Sequence, residues 1–209
     1  MFRVLTIARE YGSGGACIAR KIAESLGWNL LDKALIDAIA RNAQVDPQLA
    51  QRYDERVDSW LHRISRGGLW RGAFDGVTSV TDADFFDAHT VAALGRNLIL
   101  EVCARGNCVI VGRGAQCLLR DRQDVLQVFI YAPWPERVAR VRERVSAAAD
   151  IEDLIRSTDK QRAEYVRFHF GCNWKNPHLY HMMINSSLGE DIVARMIIDA
   201  VERGSEACA

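Results

Sequence analysis

The sequence has no excess of charge of either sign. Its 209 residues carry 27 Lys and Arg against 27 Asp and Glu, so the formal net charge is zero. Surfaces that bind nucleic acid or an anionic membrane need an excess of cations, and none is present here. Any anion-binding site must therefore be local, and a nucleic-acid-binding module ranks last among the candidate functions.

Long hydrophobic runs and paired cysteine motifs are also missing. No stretch approaches the ~18 apolar residues that a membrane-spanning helix needs, and the apolar run at the N-terminus is too short for a signal peptide. The six cysteines form no C-x-x-C motif, and no Cys/His group has zinc-ligand spacing. The sequence predicts a cytoplasmic protein with no membrane partner, no zinc site and scattered, buried thiols.

Proline and glycine are scarce, with 4 and 15 residues respectively. The composition, 49% hydrophobic and 26% charged, is that of an ordinary globular protein and excludes a disordered or collagen-like chain. Because a typical domain has ~100–200 residues, we expect a single domain over residues 1–209.

Short apolar runs alternate with helical patterns along the chain. Five runs predict strands, at residues 2–8, 28–31, 108–111, 126–131 and 182–184. Helices are predicted from the glycine turn that ends at Gly15, over 84–105, after a turn that follows the strand 108–111, from Pro135, over 151–168 and over 189–203. Two more are predicted around residues 35–39 and 46–65, and the glycine-rich segment 67–81 is predicted to be a mobile loop. The alternation predicts a doubly wound parallel sheet, which binds ligands at the carboxyl ends of its strands.

A glycine-rich turn, Gly12-Ser13-Gly14-Gly15, separates the first predicted strand from the first helix. Such a turn points backbone N–H groups and the positive end of the helix at one spot, which suits a phosphate group. Glycine turns also close many strand-helix units that bind nothing. Taken alone, this turn leaves a phosphate site and a purely structural turn equally open.

Several segments together carry a family resemblance. They are Ile7-Ala8-Arg9-Glu10-Tyr11-Gly12-Ser13-Gly14-Gly15, residues 31–36, 111–114, 128–133, 159–165, Trp174 and 180–189. In this order and spacing they resemble the cytidylate kinase-like family, a branch of the P-loop nucleoside monophosphate kinases. The resemblance implies a three-layer α/β/α fold with a five-stranded parallel sheet. It also implies a core of about residues 1–32, 96–136 and 180–209, a helical acceptor-binding insertion of about 33–95, and a lid of about 137–179.

The general phosphate-binding pattern G-x-x-x-x-G-K-[ST] fits the turn imperfectly. It places Arg9 at the first glycine, Gly14 at the second, Gly15 at the lysine and Ala16 at the Ser/Thr. The lysine normally neutralises phosphate charge, and the hydroxyl normally ligates Mg²⁺. The loop without lysine resembles the cytidylate kinase-like branch itself. Arg9, Lys21 and a lid arginine are the candidates for the missing cation.

The resemblance implies that ATP, with Mg²⁺, is bound by the loop residues Arg9, Glu10, Tyr11, Gly12, Ser13, Gly14, Gly15 and Ala16. It implies that Asp32 and Arg113 contact the acceptor, although Asp32 could equally cap a helix. A charged residue between Gly112 and Gly114 at a strand end is poorly explained by packing. General cytidylate kinases have an Asp where this chain has Gly114, which leaves the base preference open.

Three arginines, Arg137, Arg140 and Arg144, are spaced by three and four residues, so we expect them on one helix face. That face could be solvated, or it could begin an arginine-rich lid that closes over phosphates. Arg137 and Arg140 match the lid motif best.

Asp159 and Arg162 could form a surface pair. They also match the Asp and Arg of the lid's return helix, which touch the acceptor in cytidylate kinases, and we favour that role. Tyr165, Trp174 and Tyr180 are expected to pack under the lid rather than to stack on a base.

The resemblance as a whole implies ATP-dependent phosphoryl transfer to a nucleoside monophosphate, with CMP or dCMP as the first candidate and Arg137, Arg140 and Arg162 as catalytic residues. Two alternatives stay open: a nucleotide-binding regulator that has lost turnover, and a kinase of another small acceptor. The expected partners are small nucleotides. The helix over 84–105 could serve a homodimer or a core.

Overall fold

The computed structural model describes residues 1–32, 82–145 and 150–204, and gives no side-chain description for 82–92 and 94. The helices predicted around residues 35–39 and 46–65 and the loop predicted over 67–81 lie outside the described residues. By internal contacts the chain divides into two units, one formed by Met1–Leu31 and Val102–Ala209 and the other by Asp32–Glu101. The division into core, insertion and lid stays a prediction.

Among the described residues, five strands form one parallel sheet. They are β1 (Val4–Arg9), β2 (Asn29–Leu31), β3 (Cys108–Val111), β4 (Val125–Tyr131) and β5 (Met182–Asn185). Their order across the sheet is β2-β3-β1-β4-β5. In register, Val4 of β1 faces Cys108 of β3 and Val125 of β4. The central strands are buried almost throughout, which explains why they appear in the sequence as unbroken apolar runs.

The helices of the described residues, in chain order, are α1 (Gly15–Leu26), α2 (Asp82–Arg105), α3 (Ala115–Leu118), α4 (Trp134–Arg142), α5 (Ile151–Phe170) and α6 (Glu190–Arg203). Single turns of 3₁₀-helix flank β5, at Pro177–Leu179 and Ser186–Leu188. The carboxylate of Asp150 caps α5 by accepting the N–H of Asp153 at 3.0 Å, and Gly171 ends that helix in the left-handed conformation.

Helices cover both faces of the sheet. On one face, Ile18 and Ile22 of α1 and Val193 and Ile197 of α6 pack against β1, β3 and β4. On the other face, Phe129 of β4 packs among side chains that include Cys117 of α3, Val166 of α5 and Trp174. The predicted three-layer α/β/α class with a parallel sheet is confirmed.

One detail differs from the sequence prediction. Helix α4 ends at Arg142, so Arg144 does not share a helix face with Arg137 and Arg140, and that prediction is wrong. The turn and helix predicted after the strand at 108–111 are confirmed by the second glycine turn and by α3, which has only four residues. Among the described residues, no helix is both long enough and apolar enough to cross a membrane.

Candidate active site

The turn from Glu10 to Gly14, called the first turn here, joins β1 to α1. Gly12 and Gly14 have φ of 79° and 74°, in the left-handed region where glycine is favoured. The buried Ser13 hydroxyl donates to the carbonyl oxygen of Glu10 at 2.8 Å, which closes the turn internally. Gly14 caps α1 without a side-chain hydrogen bond, and α1 has no acidic residue in its first turn. The first turn of α1 therefore contributes no carboxylate of its own to the end of the helix that would face a phosphate.

Arg137 of α4 is the most buried charged side chain beside the first turn. It is 5% exposed. Its Nε donates to the carbonyl oxygen of Tyr11 at 2.7 Å, and its Nη1 lies 3.2 Å from a carboxylate oxygen of Glu10. Its Nη2 pairs with Asp159 of α5. Three groups thus hold one guanidinium, and Arg137 ties α4 and α5 to the turn.

The carboxylate of Asp159 also accepts the backbone N–H of Tyr11, at 2.8 Å. An N–H of the predicted phosphate-binding loop is therefore bonded to an anion, although that anion belongs to the protein. Asp159 and Arg137 were predicted from the lid motif, and the structure brings both to the first turn. It does not test the acceptor contact predicted for Asp159.

Arg140, one turn further along α4, reaches the other side of the first turn. Its Nη1 lies 3.4 Å from the carbonyl oxygen of Gly12 and 3.1 Å from Oγ of Ser186, and its Nη2 donates to Glu136 at 2.7 Å. The backbone of α4 is equally close, because a Cβ added at Gly12 would lie 2.8 Å from the carbonyl oxygen of Arg137. Only glycine fits at that point of the turn.

Arg162 of α5 donates from Nη1 to the carbonyl oxygen of Arg9 at 2.9 Å, and its guanidinium lies 5.5 Å from the centre of the Tyr11 ring. Burial lowers the pKa of Arg162, and the positive charge of Arg137 acts in the same direction, while Asp159 and Tyr11 oppose it. The positive charges of α4 and α5 are close enough to influence one another. An anion placed among them would be stabilised by both.

A second glycine turn, Gly112-Arg113-Gly114, follows β3 and is called the second turn here. Its three residues have φ of 82°, 55° and 68°, so the arginine too lies in the left-handed region, which is uncommon for a non-glycine residue. The Arg113 guanidinium lies 5.5 Å from the centre of the Tyr165 ring. Since β1 and β3 are adjacent parallel strands, both turns lie at the same edge of the sheet.

The aromatic ring of Phe170 explains why position 114 is glycine. A Cβ added there would overlap the edge of that ring. An aspartate after Arg113, as in general cytidylate kinases, has no room while Phe170 lies against the turn. Phe170 therefore occupies the space that a side chain at position 114 would need.

Arg9, the last residue of β1, spans the gap between the two turns. A Cβ added at Gly15 would lie 2.7 Å from Cβ of Arg9, and a Cβ added at Gly112 would lie 2.5 Å from its Nη1. The aliphatic part of Arg9 therefore lies against the start of α1, and its guanidinium lies beside the second turn.

Two other predicted residues lie elsewhere. Asp32 directly follows β2 and is the first residue of the other unit, so its acceptor contact stays a prediction. Lys21, a candidate for the missing loop cation, donates to Asp191 at 2.6 Å and lies 3.8 Å from Glu190. The hydrogen bond to Asp191 raises the pKa of Lys21. This lysine is engaged on the surface between α1 and α6.

Sequence reasoning missed Lys175 and Phe170. The ammonium of Lys175 lies 2.6 Å from a carboxylate oxygen of Glu10, 165 residues away in sequence. Phe170 contacts the second turn from the end of α5. No spacing in the sequence signals either contact.

Trp174 and Tyr180 were predicted to pack under the lid, and both rings lie against Phe129, at centroid distances of 5.4 and 5.1 Å.

The described residues offer no group of three His, Cys, Asp or Glu side chains arranged to hold a metal ion. Ala16 has no oxygen to place at the position where the general pattern has its Mg²⁺ ligand. The five cysteines within the described residues are free thiols, three of them buried.

Comparison with known proteins addresses the family of this chain. A model of the cytidylate kinase-like family matches residues 4–188. A curated cytidylate kinase from Methanosarcina mazei is 26% identical over 104 residues, which are 47% of this chain and 58% of that protein. This match therefore spans little more than half the length of that relative.

Solved structures agree on the fold. An uncharacterised protein from Eubacterium ventriosum matches with a TM-score of 0.67 and 23% identity, over 95% of this chain and 98% of its own. A shikimate kinase from Acinetobacter baumannii, solved in complex with shikimate, matches with a TM-score of 0.51 and 16% identity, over 98% and 95%. At these identities the structures show a shared fold and nothing further. Since the family model extends from the first strand through both glycine turns and the arginine-bearing helices to β5, this chain belongs to the cytidylate kinase-like family.

Proposed function

We propose that this protein transfers the γ-phosphoryl group of ATP to a nucleoside monophosphate, with CMP or dCMP as the first acceptor to test. The observation that carries the proposal is the pair of left-handed glycine turns at the ends of the adjacent strands β1 and β3, with arginines from α4 and α5 on the first. A donor and an acceptor bound at neighbouring turns would have their reacting groups close together. Family membership supports the same reading.

In this proposal the first turn binds the donor phosphates. Glycines at residues 12 and 14 let the backbone approach a phosphate closely, and the start of α1 supplies N–H groups and a favourable dipole. Phosphate oxygens would compete with the Glu10 and Asp159 carboxylates for Arg137 and for the Tyr11 N–H. ATP binding therefore exchanges protein carboxylates for phosphate oxygens at groups that already favour anions.

The proposed chemistry needs no covalent enzyme intermediate. An acceptor phosphate oxygen bonds to the γ-phosphorus while the bond to the bridging oxygen breaks, and the electron pair leaves with ADP. The protein contributes positioning and positive charge as charge shifts to the leaving oxygen. Arg113 at the second turn would hold the acceptor, and Arg137, Arg140 and Arg162 would neutralise the transferring group. The described residues supply no ready metal-ligand set, so Mg²⁺ is expected to enter as the ATP complex, held by phosphate oxygens and water.

The test is formation of nucleoside diphosphate from ATP and Mg²⁺ with CMP, dCMP, UMP and AMP in parallel, beside a reaction without acceptor. We expect one acceptor to react fastest and Arg113→Ala to lower its kcat/KM by about 100-fold, because a charged contact to the acceptor is lost. Arg120→Ala is the matched control, since Arg120 is exposed and its nearest carboxylate is that of the neighbouring Asp121 at 3.5 Å.

Two outcomes would contradict the proposal. ATP binding without product from any of the four nucleotides would favour a nucleotide-binding regulator, an alternative that Gly15 and Ala16 suggest because the catalytic lysine and hydroxyl are missing there. Absence of reaction with nucleotides, together with phosphorylation of a different small acceptor, would favour a kinase of another class.

A further inference from the structure

The general loop pattern places its lysine at the position of Gly15, so the structure should show what occupies the space of that side chain. A Cβ added at Gly15 would lie 2.7 Å from Cβ and 3.0 Å from Cγ of Arg9. Real Cβ atoms do not approach as closely as 2.7 Å, and Cβ of Arg9 cannot move aside, because the Arg9 backbone is paired with Ile130 in the sheet. The stem of Arg9 therefore fills the space in which a lysine stem at position 15 would begin.

The two positions are exchanged relative to the general pattern. That pattern has glycine at position 9 and lysine at position 15, whereas this chain has Arg9 and Gly15. In either arrangement one of the two residues must lack a side chain, because the two Cβ positions compete for one space. With Arg9 in place, this backbone therefore has no room for a side chain at position 15.

The guanidinium end of Arg9 lies beside the second turn. Its Nη1 is 2.5 Å from the position of a Cβ at Gly112, whose N–H donates to the carbonyl oxygen of Ile7 in β1 at 3.0 Å. Gly112 thus leaves room for the guanidinium between the two strand ends. A cation there lies between the proposed donor site and the proposed acceptor site.

Five other cations of the described residues lie near the first turn, and each contacts an acidic side chain or a backbone carbonyl. Lys21 is paired with Asp191, and Arg137 with Glu10 and Asp159. Arg140 is paired with Glu136, and the exposed Lys175 with Glu10. Arg162 approaches from α5 and donates to the carbonyl oxygen of Arg9 itself, which fixes the backbone from which the Arg9 side chain extends.

We propose that Arg9 does the work of the missing loop lysine, by placing its guanidinium on the phosphoryl group as that group moves from donor to acceptor. This inference rests on the proposed function and adds Arg9 to the arginines that would neutralise the transferring group. The guanidinium remains protonated throughout, so it supplies charge and hydrogen bonds and exchanges no proton with the substrates. Its planar fork can bind two oxygens of the transferring group together, which an ammonium cannot do.

The first experiment measures kcat and KM for the best acceptor in the wild type, Arg9→Met and Arg9→Lys, with Arg20→Met as control. Arg20 is an exposed arginine of α1 whose Nη2 lies 3.7 Å from Cys17 Sγ, so its loss should change kcat less than twofold. We expect Arg9→Met to lower kcat by about 100-fold or more, the usual cost of removing one charge-stabilising donor. Arg9→Lys should recover part of that loss, and added guanidinium ion should raise kcat of Arg9→Met at least tenfold, which a purely structural role would not produce.

The second experiment exchanges the two positions back. Gly15→Lys alone should lower activity because the new stem meets Arg9, and Arg9→Gly alone should lower it because the cation is gone. The double variant Arg9→Gly/Gly15→Lys should be at least tenfold more active than Arg9→Gly, because the space and the charge are both restored. Circular dichroism and melting temperature establish that each variant is folded.

Several results would overturn the inference. Arg9→Met with kcat within threefold of the wild type would do so, and so would a loss that neither guanidinium nor the exchanged loop restores. If the wild type transfers phosphoryl to no acceptor, the proposed function fails separately. Arg9 is then judged by ATP titration: binding at least tenfold weaker in Arg9→Met supports its placement on the phosphates, and unchanged binding contradicts it.

Discussion

The two glycine turns of this protein lie at the same edge of the sheet and both use left-handed backbone, yet different forces hold them. The first turn is held by charged groups of α4, α5 and the segment after α5, through Arg137, Asp159, Arg162 and Lys175. The second turn is held by aromatic rings from α5, with Phe170 against Gly114 and Tyr165 beside Arg113.

The difference shows which turn can exchange its contacts. Carboxylates that hold an arginine can be replaced by phosphate oxygens of the same charge, so the first turn is suited to bind and release an anion. A ring that fills the space of a missing side chain admits no such replacement. The second turn is therefore expected to keep its shape while the first changes partners.

The largest loss of unfolding free energy is expected from Arg137→Ala, which breaks the charged contacts of the first turn. Glu10 and Asp159 would lose the buried arginine between them, and removing one partner of a buried ion pair costs about 3–5 kcal/mol of unfolding free energy; Lys175, which still lies beside Glu10, places the expected loss at the lower end. Urea denaturation measures the change. The control is Arg156→Ala, which breaks an exposed i,i+4 pair with Glu152 and should cost under about 0.5 kcal/mol. Similar losses in the two variants would show that burial adds nothing at the first turn.

A smaller effect is expected from Gly114→Ala at the second turn. The alanine must adopt a positive φ, at about 1 kcal/mol, and its Cβ must displace the Phe170 ring, at about 1–2 kcal/mol more. Gly171→Ala is the matched control, because Gly171 has a similar φ of 65° and nothing within 4 Å of its missing Cβ. The difference between the two free energies of unfolding isolates the ring contact, and equal values would refute it.

The smallest effect is expected from Lys175→Ala, which removes the exposed cation from Glu10. The Lys175 side chain is 57% exposed, so the pair should contribute about 0.5 kcal/mol and should weaken as salt is added. Thermal denaturation at low and high NaCl measures both. Lys160→Ala, at an exposed pair with Glu164 separated by 3.9 Å, provides the baseline. A loss from Lys175→Ala that is independent of salt would mean that Lys175 contributes by packing on Trp174.

Most of the fold could be predicted from the sequence, because buried parallel strands appear as unbroken apolar runs. Each predicted run overlaps an observed strand, and the predicted helix over 84–105 matches α2 closely. The prediction that Arg144 shares the helix face of Arg137 and Arg140 is wrong, because the pattern of arginines continues beyond Arg142, where the helix ends. Spacing predicts which residues would share a face, and it does not determine where a helix stops.

The sequence indicated individual residues of the candidate site, but not which of them contact one another. The sequence indicated Arg137 and Asp159 separately, but their contacts to Tyr11 join residues 126 and 148 positions apart. The Lys175–Glu10 contact had no signal, since both are ordinary surface residue types. Local patterns carry no information on which distant side chains meet.

The sequence by itself determined the strand-turn-helix units, the glycine-rich turns and the absence of a lysine at position 15, because backbone preferences and apolar periodicity are local properties. Only the tertiary structure decided that the Arg9 stem occupies the space of that lysine, that Phe170 excludes a side chain at position 114, and that α4 and α5 bring their charges to the first turn. These contacts depend on how helices pack across the end of a parallel sheet, and packing joins residues that no local pattern connects.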